Sequence, residues 1–161
     1  MSEEEKTFTI DEAHKEFAVK TNSRVWKLLG DEDRSQLEND ELLYAAYGSC
    51  YHWLKAGTGV NHQRGEYMIA KAYISLNNPV EALRHATRVI ALTEEHKQEM
   101  KDFDFAYAYE IMARSLVMNG DKEEARKYYQ MAREAGDEIT NDEDKKWFDG
   151  DFEGGDWFGL V

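Results

Sequence analysis

Apolar residues recur along this chain at intervals of three and four, and the alternation that marks a half-buried strand is nowhere sustained. Leu43, Tyr47, Cys50 and Leu54 form one such stripe, which predicts a buried helix face. The pattern predicts an all-α chain with helices over about residues 11–29, 34–56, 61–77, 80–98, 102–119 and 121–138. The predicted breaks are "GDED", "AGTG", "NNP", a polar stretch from Lys101 to Asp104, and "NGD". Asn78 ahead of Pro79 suits an N-cap followed by a proline in the first turn, and Asp121 suits a cap after Gly120 has ended the preceding helix. Both places read as tight helical hairpins.

The two hairpins resemble each other. "AKAYISLNNPVEALRHATRVI" from Ala70 aligns without a gap on "ARSLVMNGDKEEARKYYQMAR" from Ala113, pairing Ala70 with Ala113, Tyr73 with Leu116 and Ala82 with Ala125. Small residues at the alanines allow two helices to approach closely, while Tyr73, Leu116 and Tyr129 fill the space between them. The small-then-aromatic pattern of "NGDKEEARKYYQMA", with Gly120, Asp121, Ala125, Tyr129 and Ala132, resembles a tetratricopeptide repeat (TPR). The spacing of 43 positions from Ala82 to Ala125 exceeds the standard ~34-residue unit, through the longer junction "TEEHKQEMKDFDF". Glu66 and Tyr109 stand at the signature tryptophan position, and "VWKLLGDEDRSQ" places Gly30 and Asp31 in the turn of a third, more divergent unit. The whole chain, through "YHW", "VNHQR", "DFDFAYAYE" and "NDEDKKWF", also looks like a group of small bacterial TPR-like proteins without assigned activity. The resemblance implies antiparallel hairpins stacked as a right-handed array of five to six helices, with a short C-terminal segment beyond them.

Charge narrows the function. With 33 acidic and 20 basic residues the net charge is −13, which repels nucleic acid and anionic membrane surfaces alike. One cysteine excludes an internal disulfide, "MSEEEKTF" has no secretory pattern, and no apolar run approaches the ~18 residues of a membrane span, so the cytoplasm is expected.

The densest candidate chemistry lies in "CYHWLKAGTGVNHQRGEY", Cys50 to Tyr67. Cys50 and His52 are two apart on a helix and point away from one another, so they form no thiolate–imidazole pair, and Cys50 reads as a buried, inert thiol. "GTG" lacks the lysine and following hydroxyl of a phosphate-binding loop. The histidines show no metal-binding spacing, so a metal would need ligands gathered across helices; no metal, cofactor or enzymatic activity is expected. Trp53 and Tyr67 read as core or groove aromatics. His52 ends one helix while Asn61 to Arg64 begin the next, a combination that could hold a small acidic ligand; His52, Arg64, His85 and Glu110 together form the wider version of that pocket.

The repeat resemblance implies a concave groove lined by one face of each first helix: Lys20, Arg24 and Lys27, then Arg64, Tyr67 and Lys71, then Tyr107, Glu110 and Arg114. Six of these nine are basic, which predicts a positive groove on a negative body and an acidic protein or peptide partner. The plainer alternative is that Arg114 pairs with Glu110 one turn away and the lysines solvate an ordinary face. The carboxylate clamp of chaperone-binding repeats is not reproduced, because Met68, Tyr107 and Ile111 stand at its positions.

Residues 1–7 are polar enough to be disordered, 8–140 form the helical domain, and 141–161 are an acidic, aromatic tail. The tail aromatics should dock on the domain or on another copy of it in a homo-oligomer. Four tail glycines suit an irregular path that either caps the last helix pair or occupies the groove. Asp149, Asp151, Glu153 and Gly154 imitate the start of a calcium loop, but Leu160 stands where its glutamate belongs.

Overall fold

The computed structural model describes residues 5–161. Seven helices occupy them: α1 (Ile10–Leu29), α2 (Gln36–Ala56), α3 (Gly59–Ser75), α4 (Pro79–Glu95), α5 (Asp102–Met118), α6 (Lys122–Asp137) and α7 (Asp142–Glu153). No strand occurs among the described residues, and none of their helices is long and apolar enough to cross a membrane. Most of the expected disordered segment, residues 1–4, lies outside the described residues, while 5–9 are exposed and without regular structure.

Local chemistry sets most of the helix ends. Thr9 with Glu12 and Ser35 with Glu38 form reciprocal capping boxes at the starts of α1 and α2. Asn78 and Asp121 cap α4 and α6 by accepting from the Glu81 and Glu124 amides, as their spacing predicts.

The duplication read from the sequence extends to the backbone. In the α3–α4 turn, Asn78 N donates to Tyr73 O at 2.9 Å and Asn77 N to Ile74 O at 3.0 Å; in the α5–α6 turn, Asp121 N donates to Leu116 O at 3.1 Å and Gly120 N to Val117 O at 3.0 Å. These are the paired bonds of the same glycine-type helix stop, with Asn77 (φ 54°) and Gly120 (φ 84°) in the left-handed conformation at equivalent positions. Asparagine tolerates what glycine adopts freely, so the two turns match despite the substitution.

Successive helices pack as antiparallel neighbours, and the backbones of α1 and α3, α3 and α5, and α5 and α7 also approach one another, whereas no such approach links α2, α4 and α6. An array whose odd-numbered helices lie closer together than its even-numbered ones is concave on the odd side. The close approaches rest on small residues: Ala70, Ala82, Ala113, Ala125 and Ala132 are fully buried, and a side chain at Gly65 would place its Cβ 2.8 Å from Cys50 Sγ. The α2 stripe is only half buried: Cys50 is inside, but Leu54 and Tyr47 are exposed, with the Tyr47 hydroxyl reaching Tyr73 and His85.

The tail is more regular than its glycines suggest. Residues 142–153 form α7, whose Phe148 and Phe152 join Trp157 and Leu160 in a second core with Ala106, Ala113, Leu116 and Ala132. The Phe148 ring lies over Gly136, where an added Cβ would come within 2.3 Å of it. Trp147, expected to dock with the others, remains 67% exposed because it falls on the opposite side of α7.

Candidate functional site

On the concave side, α1, α3, α5 and α7 line a cleft of about 610 Å³, which Trp53 of α2 also borders. Its walls are aromatic: Trp26, Tyr67, Phe103, Tyr107 and Trp147, with Trp26 and Trp147 standing 44% and 67% exposed at the rim. Polar groups enter at defined points. Arg64 donates through Nε and Nη2 to the two carboxylate oxygens of Asp104, both at 2.9 Å, and its guanidinium lies 5.0 Å from the Phe103 ring centre. Asp104 also accepts the Lys101 amide at 3.0 Å, so one buried carboxylate caps α5 and holds Arg64 in place. Across the cleft, Tyr107 donates its hydroxyl to Asp151 Oδ2 at 2.6 Å. Burial, and then that carboxylate, hold the Tyr107 phenol far above its ordinary pKa, so it remains a donor at any physiological pH. Among the described residues, Asp151 Oδ1 accepts no hydrogen bond.

The groove residues come together on one side, but most of their positive charge is paired. Lys20 pairs with Glu16 at 3.2 Å, Arg24 with Glu41 through two bonds of 2.6 and 2.7 Å, Arg64 with Asp104, and Arg114 with Glu110. Four of the six basic groove residues thus arrive with an acid, which comes from the same helix for Lys20 and Arg114 and from another helix for Arg24 and Arg64. Lys27 is exposed, and Lys71 sits 5.5 and 5.7 Å from the ring centres of Trp26 and Tyr67.

Arg114, expected to be open to a partner, is 6% exposed because the tail encloses it. Its guanidinium donates to the carbonyls of Asp156 (2.8 Å), Asp151 (2.9 Å) and Gly154 (2.9 Å), and stacks 3.9 Å from the Trp157 ring centre. Glu110 is fully buried between Arg114 and the Tyr67 hydroxyl, which donates at 3.2 Å. Burial, followed by the Glu110 charge, raises the Tyr67 pKa well above its ordinary value.

The four-residue pocket of His52, Arg64, His85 and Glu110 does not assemble. His52 faces α1, with Nδ1 2.8 Å from His14 Nδ1, and burial together with His14 lowers its pKa. Asn61 is spent on the α2–α3 turn, where its Oδ1 accepts the Thr58 amide at 3.0 Å, although it also borders the cleft. His85 is buried behind α3, bonded to Glu66 and Tyr47. Helical periodicity places a residue on a face of its own helix but does not say which side of the array that face meets.

Trp26, Phe103, Asp104, Trp147 and Asp151 escape the sequence reading of the site. Asp104 had a signal as an acid in the first turn of a predicted helix; the others depend on the packing of α1, α5 and α7 around α3. No protein-family model, curated protein or solved structure matches this chain.

Proposed function

We propose that this chain is a degenerate TPR-type interaction module, and that its aromatic cleft receives a segment of another protein anchored by a basic side chain. The supporting observation is the combination of aromatic walls with one carboxylate, Asp151, that keeps an unoccupied acceptor oxygen at their edge. Aromatic faces attract cations, and a lysine or arginine within reach of Trp26, Trp147 and Asp151 would gain ring and carboxylate contacts together. The Arg64–Asp104 pair is internally neutral, Asp151 is the acidic lining group that remains, and the net charge of −13 steers cations toward it. The pairing of four of the six basic groove residues weakens the case for an acidic partner. Saturation of Arg64 and Asp104 by each other favours holding over catalysis.

A peptide array varied at one central position, read by fluorescence of the cleft tryptophans, tests this reading. Lysine and arginine peptides should bind in preference to glutamate peptides, and Trp26→Ala and Asp151→Asn should each weaken them by roughly tenfold. Equal binding of acidic peptides, or unchanged binding by both variants, would refute it.

A further inference from the structure

Behind the cleft, between α2, α3 and α4, lies a second cluster. His62 and Glu66, one turn apart on α3, place Nε2 and Oε1 3.7 Å from each other, and Cys50 Sγ from α2 faces them, with the three ligating atoms all within 4.8 Å of one another. Cys50 is 5% exposed, and among the described residues its sulfur has no hydrogen-bond partner. Gly65 makes the approach feasible, since a side chain there would occupy the space beside the sulfur.

Glu66 is largely buried, yet no lysine or arginine lies within ion-pair distance; its neighbours are His62 and His85. His85 Nε2 receives Arg84 Nη2 at 3.1 Å and lies 2.9 Å from the Tyr47 hydroxyl, so it acts as the acceptor and Nδ1 carries the proton toward Glu66 Oε2 at 2.5 Å. A buried carboxylate held by a neutral donor lacks a counter-charge.

We infer that Cys50, His62 and Glu66 form a binding site for a divalent transition ion of the zinc class, with His85 as the positioning residue behind Glu66. Thiolate, imidazole and carboxylate make a donor set that zinc accepts, and three protein ligands leave one position for water. Bond lengths of ~2.0–2.3 Å around a tetrahedral ion separate its ligands by roughly 3.4–3.6 Å. At 3.7 Å the His62–Glu66 pair is close to this separation, and a side-chain shift of about 1 Å from at most 4.8 Å brings the sulfur in. The His85–Glu66 contact is the outer-shell bond that fixes a carboxylate ligand, running from Glu66 Oε2 while Oε1 stays available. Such an ion would supply the missing positive charge and tie α2 to α3.

Titration of the intact chain with Co²⁺, followed by optical spectroscopy, tests the site, with circular dichroism of each variant as the folding control. One equivalent should bind with a thiolate-to-cobalt charge-transfer band and the visible bands of tetrahedral cobalt, and Zn²⁺ should displace it. Cys50→Ser should abolish the charge-transfer band. His62→Gln, a half-buried change that does not depend on core packing, should weaken binding at least tenfold, and His85→Gln should weaken it by roughly 10- to 100-fold while the band remains. Absence of the charge-transfer band in the unaltered chain, octahedral cobalt alone, or affinity unchanged in both His62→Gln and Glu66→Gln would overturn the inference.

Discussion

Replacing Arg114 with methionine should destabilise the protein by about 3–5 kcal/mol, because it strands a charge that has no access to water. Arg114 and Glu110 are 6% and 1% exposed, and without the guanidinium Glu110 keeps only the Tyr67 hydroxyl. The carbonyls of Asp151, Gly154 and Asp156 lose a charged donor as well. Each such bond is worth roughly 1.5–3 kcal/mol alone, but contributions within one network overlap, so the sum does not apply. Against a total stability of about 5–15 kcal/mol this is a large loss, equivalent to a fall of about 10 °C in melting temperature. Equilibrium urea unfolding measures it. A second variant isolates the cause: Arg114→Met combined with Glu110→Met should recover at least half of the loss, since replacing both members of a buried pair removes the stranded charge. The tail should also open in the single variant, making the α7 backbone after Lys145 and Lys146 susceptible to trypsin, read by mass spectrometry. A single variant within about 1 kcal/mol of the unaltered protein, or a double variant as unstable as the single, would refute the reasoning.

Two glycines of the tail contact should respond in opposite directions. Gly136→Ala drives a Cβ into the Phe148 ring and should cost roughly 1–3 kcal/mol, whereas Gly150→Ala, with nothing within 4 Å of the new atom in α7, should stabilise by roughly 0.5–1 kcal/mol; thermal melts of both decide it. Asp102 accepts the amide and the hydroxyl of Thr140, both at 2.9 Å, and the amide bond chiefly holds its carboxyl below the ordinary value. A depressed folded pKa means stability present above the unfolded carboxylate pKa and lost as pH falls through the folded value. Asp102→Asn should therefore flatten the acid limb of stability against pH while lowering stability at neutral pH, and an identical acid limb in the two proteins would contradict this.

The helices and their ends were legible because their causes are local. The spacing of apolar residues, the caps at Asn78 and Asp121, and the stop at Gly120 each act within one or two turns, and they set the all-α class and the duplicated hairpin; the matching stop at Asn77 emerged only from its left-handed backbone. The last helix was not legible: "DEDKKWFDGDFE" carries crowded acids and a glycine, and it becomes α7 because Phe148 and Phe152 can bury against α6 and Gly136. The site depended almost wholly on distant partners. Arg64 meets Asp104 across 40 positions, Tyr107 meets Asp151 across 44, and Arg114 meets carbonyls 37 to 42 positions away. A list of basic residues on one helical face therefore predicted a positive groove, whereas the acids that pair with Arg24 and Arg64 come from other helices and the tail closes over Arg114. Periodicity shows which way a side chain leaves its own helix; only the stacking of helices determines what charge it meets, whether water still reaches it, and which groups share its cleft.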